Sequence, residues 1–174
     1  MLVKIQRLTD NAKIPTNAHE SDFCYDVYAT SVKRVGWRTW EYGVGIAYEI
    51  IRDNNENVGE IYVGDYNPMH ADSRRWLRLN LKDTNIKLSI DFRPRSSVWK
   101  TGMILSNCEG TLDELYRGEV KAVFYHINPF KKKYKIGERI GQIKLGFTLP
   151  IEFEEGEINV NTERGTGGFG STGK

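Results

Sequence analysis

The stretch Ile86-Lys87-Leu88-Ser89-Ile90-Asp91-Phe92 decides the fold class, because apolar and polar residues alternate strictly along it. Successive side chains of a β-strand point to opposite faces, so a period of two predicts a half-buried strand. No segment keeps the helical period of 3.6 residues for three turns. Further candidate strands lie at 3–8, 25–30, 44–50, 60–63, 77–81, 120–127, 143–147 and 158–160. Many short strands joined by polar turns predict an all-β antiparallel sandwich or jelly roll.

Length and composition predict one domain spanning residues 1–174. The chain is 39% hydrophobic and 28% charged, which is ordinary for a globular protein. A net charge of +2 provides no general basic field, so no nucleic-acid polymer is expected as a partner. No apolar run is long enough to cross a membrane and no secretory signal precedes residue 5, so a cytoplasmic location is expected. Cys24 and Cys108 are too few for a disulfide framework, which predicts reduced, partly buried thiols.

The sequence Pro94-Arg95-Ser96-Ser97 is the first candidate site. It predicts the start of a helical turn, with the two serines as caps and an end at Gly102. Free N–H groups, hydroxyls and the positive end of a helix dipole attract anions, and Arg95 adds a guanidinium. The alternative is a simple cap with Arg95 held in a structural ion pair.

The segment 108–119 is a second candidate, because Gly110 and Gly118 bracket Asp113 and Tyr116. Glycines at such spacing are typical of a hairpin whose backbone approaches a ligand closely. Asp113 could polarise a water there, or the segment could be an acidic surface hairpin. In the turn and strand start at 137–142, Gln142 could donate to a phosphate or lie on an exposed strand face.

The C-terminal residues 164–174 contain five glycines and have no apolar face to bury. Such a segment orders only on a ligand or another surface. This segment carries groups that together suit a nucleoside polyphosphate. They are its backbone N–H groups, the guanidinium fork of Arg164, the hydroxyls of Ser171 and Thr172, and the ring of Phe169. The alternatives are a flexible terminus and a P-loop, but a P-loop requires a helix after its lysine.

Taken in order, five blocks resemble the trimeric dUTPase family, the dUTP nucleotidohydrolases. They are 25–29, 94–97, 107–119, 137–142 and 164–173. The resemblance implies a distorted jelly-roll β-sandwich or barrel with a mobile glycine-rich arm at 161–174. It also implies a homotrimer whose three active sites are shared between subunits. The implied reaction is hydrolysis of dUTP to dUMP and pyrophosphate with Mg2+.

The same resemblance implies a role for each matching residue. Asp113 would activate the attacking water, Tyr116 would pack beneath the deoxyribose, and Asp26 would hold Mg2+ through water. Asn107 and the backbone at Gly110 would read the uracil. The remaining substrate-binding candidates would contact the triphosphate or belong to the closing arm. They are Arg95, Ser96, Ser97, Gln142, Arg164, Phe169, Gly170, Ser171 and Thr172.

The chain departs from the family pattern in three places. Phe23-Cys24 stands where Ala-Gly is expected, and Gly141 stands where Ala is common. The region of roughly 52–82 is longer than the family needs, so it is interpreted as an insertion, most simply a surface hairpin. Two alternative functions stay open: a dCTP deaminase, alone or combined with dUTPase activity, and a nucleotide-gated trimer that binds a regulatory protein through the insertion.

Overall fold

The computed structural model describes residues 2–52, 60–62, 76–78, 86–163 and 165. In these residues the chain forms twelve strands and one short 3-10 helix, Ser96–Lys100. The strands are β1 (Leu2–Arg7), β2 (Tyr25–Tyr28), β3 (Ser31–Gly36), β4 (Thr39–Gly43), β5 (Ile46–Ile51), β6 (Glu60–Tyr62), β7 (Trp76–Arg78), β8 (Lys87–Pro94), β9 (Met103–Leu105), β10 (Gly110–Asp113), β11 (Lys121–His126) and β12 (Arg139–Thr148). The predicted all-β fold is confirmed. Among the described residues, no helix is long and apolar enough to cross a membrane.

Two four-stranded antiparallel sheets form the sandwich. The first, which we call the site sheet, has the strand order β10-β8-β12-β2, and the second has the order β3-β4-β11-β9. Strands β1 and β5 pair with each other, as do β6 and β7. Because the chain crosses between sheets rather than running along one, residues far apart in sequence become neighbours on the site sheet.

The core lies between the sheets and contains a cluster of aromatic rings. The Phe124 ring of β11 contacts the Phe92 ring of β8, with centroids 6.3 Å apart. Tyr42 and Tyr134 contact the same Phe124 ring edge-on at 5.7 and 5.6 Å. Edge-to-face ring pairs add about 0.5–1.5 kcal/mol each beyond their buried area. The alternating stretch at 86–92 therefore supplies the core with its apolar face, as its period of two predicts.

Several sequence predictions need correction. Residues 158–160 are not a strand; they are exposed and have no paired neighbour among the described residues. The helical turn after Pro94 is present, but its N-cap is Arg95 and no side chain caps it. Its predicted end is confirmed, since Gly102 adopts a left-handed φ of 66°. Cys108 is exposed, not partly buried.

The segment 108–119 is also not a hairpin by itself. Strand β10 pairs with β8, and residues 114–119 form a turn that leads away toward β11. In contrast, the hairpin of β3 and β4 has no clear sequence signal, because its turn contains Trp37 and Arg38 in place of glycine or asparagine. Arg38 takes a left-handed φ of 61° and donates hydrogen bonds to the carbonyls of His126, at 2.8 Å, and Ile127. Contacts with β11 thus stabilise a turn that local propensity does not predict.

Candidate active site

The polar face of the site sheet carries several of the predicted site residues. Phe92 faces the core, so its neighbours Asp91 and Arg93 face outward. The strand register places Gln142 between Arg93 on one side and Asp26 on the other. Gln142 is half-buried on this face, which leaves both sequence interpretations of it open.

A cavity of about 520 Å3 opens beside the 3-10 helix, and Arg95 and Ser97 both line it. Ser96 is exposed and is not part of this lining. The cavity is strongly basic, because one carboxylate, that of Glu138, lies among six cationic side chains. These are Arg95, Lys100, Lys132, Lys133, Lys135 and Arg139. Guanidinium and ammonium groups gathered in a cavity favour a polyanionic ligand such as a triphosphate.

The sequence interpretation missed most of these cations. Three lysines follow Pro129 at 131–133, and their local sequence gives no indication of what they face. In the structure, the Lys133 ammonium lies 3.3 Å from the Trp40 ring centroid, which holds its stem against the sheet. The run itself was the available signal, but only the fold brings it opposite Arg95.

Asp26 lies at the edge of this region and is buried, with 6% of its surface exposed. Its Oδ2 accepts a hydrogen bond from Arg139 Nη1 at 2.5 Å, and this bond raises the pKa of Arg139. Its Oδ1 is buried and has no hydrogen-bond partner among the described residues. A buried oxygen acceptor of this kind suits a water molecule, including one that belongs to the hydration shell of a metal ion.

Mg2+ fits this site only through water. The described residues contain no cluster of three or more histidine, cysteine, aspartate or glutamate side chains. Mg2+ commonly keeps several waters and takes few protein ligands, with substrate phosphates as others. In the Asp26 carboxylate, one oxygen is engaged by Arg139 and the other is available to a water molecule.

Asp113 ends β10 and is exposed. Its backbone carbonyl accepts two hydrogen bonds, from the Tyr116 amide at 3.0 Å and from the Tyr48 hydroxyl at 2.6 Å. Tyr116 in turn donates its hydroxyl to the Glu119 carbonyl at 3.0 Å. A side chain at Gly118 would collide with the Tyr116 ring, which explains the glycine there. The turn is therefore ordered by its own hydrogen bonds while the carboxylate faces solvent.

Asn107 and Gly110 lie together at the start of β10. Asn107 is exposed, and a Cβ added to Gly110 would be 3.6 Å from its Nδ2 and 3.3 Å from the Phe92 Cβ. Between them, Cys108 adopts a left-handed φ of 57°. Glycine at 110 thus avoids a tight contact with the Phe92 side chain, beside the Asn107 amide.

The described residues of one chain do not bring all candidates together. Asp113 lies opposite Ser89, and Ser89 lies opposite Gly146, whereas Asp26 lies opposite Gln142. Gly146 and Gln142 are about 13 Å apart along β12. Strands β10 and β2 are three strand spacings apart, which is about 14 Å across the sheet. The two carboxylates are therefore roughly 20 Å apart on one face. Arg164, Phe169, Gly170, Ser171 and Thr172, and most of the region 52–82, lie outside the described residues.

A family model described as dUTPase matches residues 84–173, just over half of the chain. This chain belongs to the dUTPase family. A deoxyuridine 5'-triphosphate nucleotidohydrolase of Clostridium acetobutylicum is 29% identical over 175 residues, which cover 98% of this dUTPase and 96% of that protein. The corresponding enzyme of Fusobacterium nucleatum is 43% identical over 86 residues, covering 49% and 59% respectively.

Solved structures agree on the fold of this dUTPase. The dUTPase of Staphylococcus bacteriophage 80alpha with dUPNHPP superposes with a TM-score of 0.66 and 17% identity over 99% of both chains. The dUTPase of phage phi11 of Staphylococcus aureus, described for its species-specific insert, gives a TM-score of 0.52 and 14% identity. At such identities the likeness shows the jelly-roll-like fold. Family membership and the curated relatives make the protein a dUTP diphosphatase, an enzyme that hydrolyses dUTP.

Proposed function

We propose that this dUTPase forms dUMP and pyrophosphate through attack of a water, activated by Asp113, on the α-phosphorus of dUTP. The observation that carries the proposal is the Asp113 turn, in which the backbone is hydrogen-bonded and the carboxylate is free to meet a ligand. A positioned carboxylate can orient the water and accept its proton as the oxygen–phosphorus bond forms. The pyrophosphate then leaves from the α-phosphorus as the bond to its bridging oxygen breaks.

The triphosphate would bind in the basic cavity beside the 3-10 helix. Arg95 and Ser97 line that cavity, Ser96 lies between them in the chain, and Gln142 pairs with Arg93 at the end of β8 that leads to the 3-10 helix. Fixed cations offset the charge of the phosphates and of the developing leaving group, commonly the largest catalytic contribution at such centres. Lys100, Lys132, Lys133 and Lys135 would add to this field.

Mg2+ would be held by the phosphates and, through a water, by Asp26. When bound, the ion neutralises phosphate charge and polarises the phosphorus–oxygen bonds. The structure of the phage phi11 dUTPase is described as showing a structural Mg(II) ion. Here the support comes from the buried Asp26 Oδ1, which has no protein donor among the described residues.

Uracil would be read by the Asn107 amide and the backbone at Gly110, while Tyr116 would pack beneath the deoxyribose. A backbone edge discriminates well, because it cannot move aside for an added methyl group as a side chain can. The C-terminal arm, residues 161–174, would close over the nucleotide. Arg164, Ser171 and Thr172 would contact the γ-phosphate, and Phe169 with Gly170 would cover the base.

The active site would be shared within a homotrimer of single-domain subunits. One chain separates Asp113 from Asp26 by roughly 20 Å. In the proposed mechanism both carboxylates act at the phosphates of one nucleotide, Asp113 through the attacking water and Asp26 through a water on Mg2+, so they need to lie much closer together. A second copy therefore has to supply one of the two groups. The basis for an insertion at 52–82 is the length of that region, and the family match begins after it, at residue 84.

The test of the mechanism is the Asp113→Asn variant, with Glu49→Gln on an exposed strand position as a matched carboxylate control. We expect kcat for pyrophosphate release from dUTP to fall by about 10²-fold or more, because a general base contributes on the order of 10²–10⁴. The KM for dUTP and the thermal midpoint should stay near those of the wild type. Full turnover in Asp113→Asn, assayed beside dTTP, dCTP and UTP, would remove Asp113 from the mechanism.

A further inference from the structure

The turn that carries Asp113 is held from beneath by the buried side chain of Tyr48. Tyr48 belongs to β5, on a different sheet, and only 3% of its surface is exposed. Its hydroxyl donates to the Asp113 carbonyl at 2.6 Å. Burial raises the pKa of Tyr48 to about 12, so the phenol stays protonated and remains a donor throughout the neutral range.

The next residue of the turn, Glu114, is held by Arg52, just after the end of β5. The guanidinium grips the carboxylate with two bonds, Nε to Oε1 at 2.7 Å and Nη2 to Oε2 at 2.6 Å. Both side chains are 22% exposed. Arg52 Nη2 also donates to the Ile86 carbonyl at 2.7 Å, which ties the same guanidinium to the residue before β8. Bidentate pairing of this kind fixes geometry as well as charge.

These contacts matter because β10 is an edge strand of the site sheet, and within the described part of the chain it pairs with β8 alone. A strand end with one neighbour frays more readily than a central strand, and here Asp113 is its last residue. Other elements also contact the turn: the Leu88 amide donates to Glu114 Oε2 at 3.4 Å, and the Gly45 amide donates to Glu119 Oε1 at 2.8 Å. Among the described residues, the bonds from Tyr48 and Arg52 are the shortest that relate the turn to the rest of the domain.

We infer that Tyr48 and Arg52 are positioning residues for hydrolysis, which hold the Asp113 carboxylate where it can meet the attacking water. This inference rests on the proposed role of Asp113. Neither residue needs to touch the nucleotide: Tyr48 acts through the backbone of Asp113, and Arg52 acts through Glu114. Their effect should therefore appear in kcat rather than in KM.

The Tyr48→Phe variant tests the first anchor by removing one hydroxyl with little change of shape. The Asp113 carbonyl keeps the Tyr116 amide as a donor, so no buried acceptor is left without a partner. We expect kcat for dUTP to fall roughly tenfold with KM unchanged, since a displacement of about 1 Å at a reacting group can cost up to about 10² in rate. Hydrogen exchange at the Tyr116 amide should become faster.

Tyr42→Phe is the matched control. Tyr42 is also buried, and its hydroxyl also donates to a backbone carbonyl, that of Tyr134, at 3.1 Å. Both variants should lower the thermal midpoint by similar amounts, but only Tyr48→Phe should separate kcat from KM. Equal losses of kcat in the two variants would mean that Tyr48 contributes general stability alone, and would overturn the inference.

Arg52 is tested by comparing Arg52→Lys with Arg52→Gln. Lysine keeps the charge but loses the two-bond fork, so its kcat should lie between those of the wild type and the glutamine variant. In a Glu114→Gln background, Arg52→Gln should lower kcat little further, because the contact between residues 52 and 114 is already weakened. Equal, wild-type kcat in both Arg52 variants would overturn this half of the inference.

The outcomes separate this inference from the proposed mechanism. Full turnover in Asp113→Asn contradicts the mechanism, and the inference fails with it. An inactive Asp113→Asn beside a fully active Tyr48→Phe contradicts the inference alone. Unchanged exchange at the Tyr116 amide in Tyr48→Phe also contradicts the inference, by showing that the hydroxyl does not hold the turn.

Discussion

Gly141, near the start of β12, leaves room for the Phe92 ring in the core. A Cβ at this position would overlap two carbons of that ring and come within 2.8 Å of the Arg93 carbonyl. Phe92 is 1% exposed and contacts Phe124 across the sandwich, so it has little freedom to move aside. In this chain, glycine at 141 therefore provides space that the Phe92 ring occupies.

We expect Gly141→Ala to lower the free energy of unfolding by about 1–3 kcal/mol, the usual cost of overpacking a core. Gly156→Ala is the control, because no atom lies within 4 Å of the added methyl group. Adding Phe92→Leu should recover part of the loss, so the double variant should be less destabilised than the sum of the two singles. Urea denaturation of the wild type, the three single variants and the double variant provides the comparison. Strictly additive losses in unfolding free energy would contradict the coupling.

At the scale of elements, β8 and β12 are joined by an ion pair on their polar face. Asp91 is 8% exposed, and its carboxylate accepts hydrogen bonds from Lys144 Nζ at 2.5 Å and Ser89 Oγ at 2.8 Å. Gly146 leaves room for the Asp91 carboxylate and the Ser89 hydroxyl, since a Cβ there would lie 2.5 Å from Asp91 Oδ2. Burial opposes ionisation of Asp91, but the bonds from Lys144 and Ser89 outweigh it and lower its pKa.

This lowered pKa predicts an acid-dependent loss of stability. In the unfolded chain Asp91 takes up a proton near its ordinary value of 3.8, whereas the folded protein keeps it ionised to lower pH. The folded state binds fewer protons there, so the stabilisation is complete above that value and is lost as the pH falls below it. We expect the urea midpoint of Asp91→Asn to change less than the wild-type midpoint between about pH 5 and pH 2.5. An exposed substitution, Asp10→Asn, should behave like the wild type.

Removing one partner of the pair should cost more than removing both. Lys144→Met leaves a buried carboxylate without its cation and should cost on the order of 3 kcal/mol, whereas Asp91→Leu combined with Lys144→Met leaves no unpaired charge. Thermal and urea unfolding of the single and double variants provide the comparison. A double variant that is less stable than Lys144→Met would show that packing, not pairing, dominates at this position.

At the scale of the whole molecule, residues 149–162 extend beyond the end of β12, and every one of them is exposed to solvent. Phe153 is 93% exposed and Ile158 is 83% exposed, and Ile151 and Val160 are exposed beside them. Apolar side chains gathered on one exposed segment indicate a contact with another surface. The proposed subunit interface, which would also complete the active site, would account for both this segment and the separation of Asp113 from Asp26.

Mixed assemblies test that arrangement. Asp113→Asn and Arg95→Gln should each be nearly inactive alone, yet a co-refolded mixture should regain measurable dUTP hydrolysis, because some sites then combine an intact Asp113 with an intact Arg95 from different copies. Asp113→Asn mixed with Tyr116→Ala is the control, since both residues belong to one turn and should come from one chain. Recovery in the control, or none in the test mixture, would contradict sharing, and light scattering would report the assembly size.

Strands with a strong period of two, such as the one at 86–92, could be predicted because each side chain's burial follows from its own position. Family membership could be predicted from five short blocks in order. The β3–β4 hairpin could not, because Arg38 is held in its turn by carbonyls from β11. The false strand at 158–160 has the right residue types, but none of the residues that the structure describes pairs with it.

The sequence by itself thus determined the all-β class and the family, because these depend on local order along the chain, and it provided the candidate residues for the proposed nucleotide site. Only the tertiary structure decided which groups meet. It brought the lysines at 132–135 to Arg95, gave Tyr48 and Arg52 to the Asp113 turn, and set Asp113 and Asp26 at opposite corners of one sheet. Those relations come from strand register and from contacts between residues far apart in sequence, which no local pattern encodes.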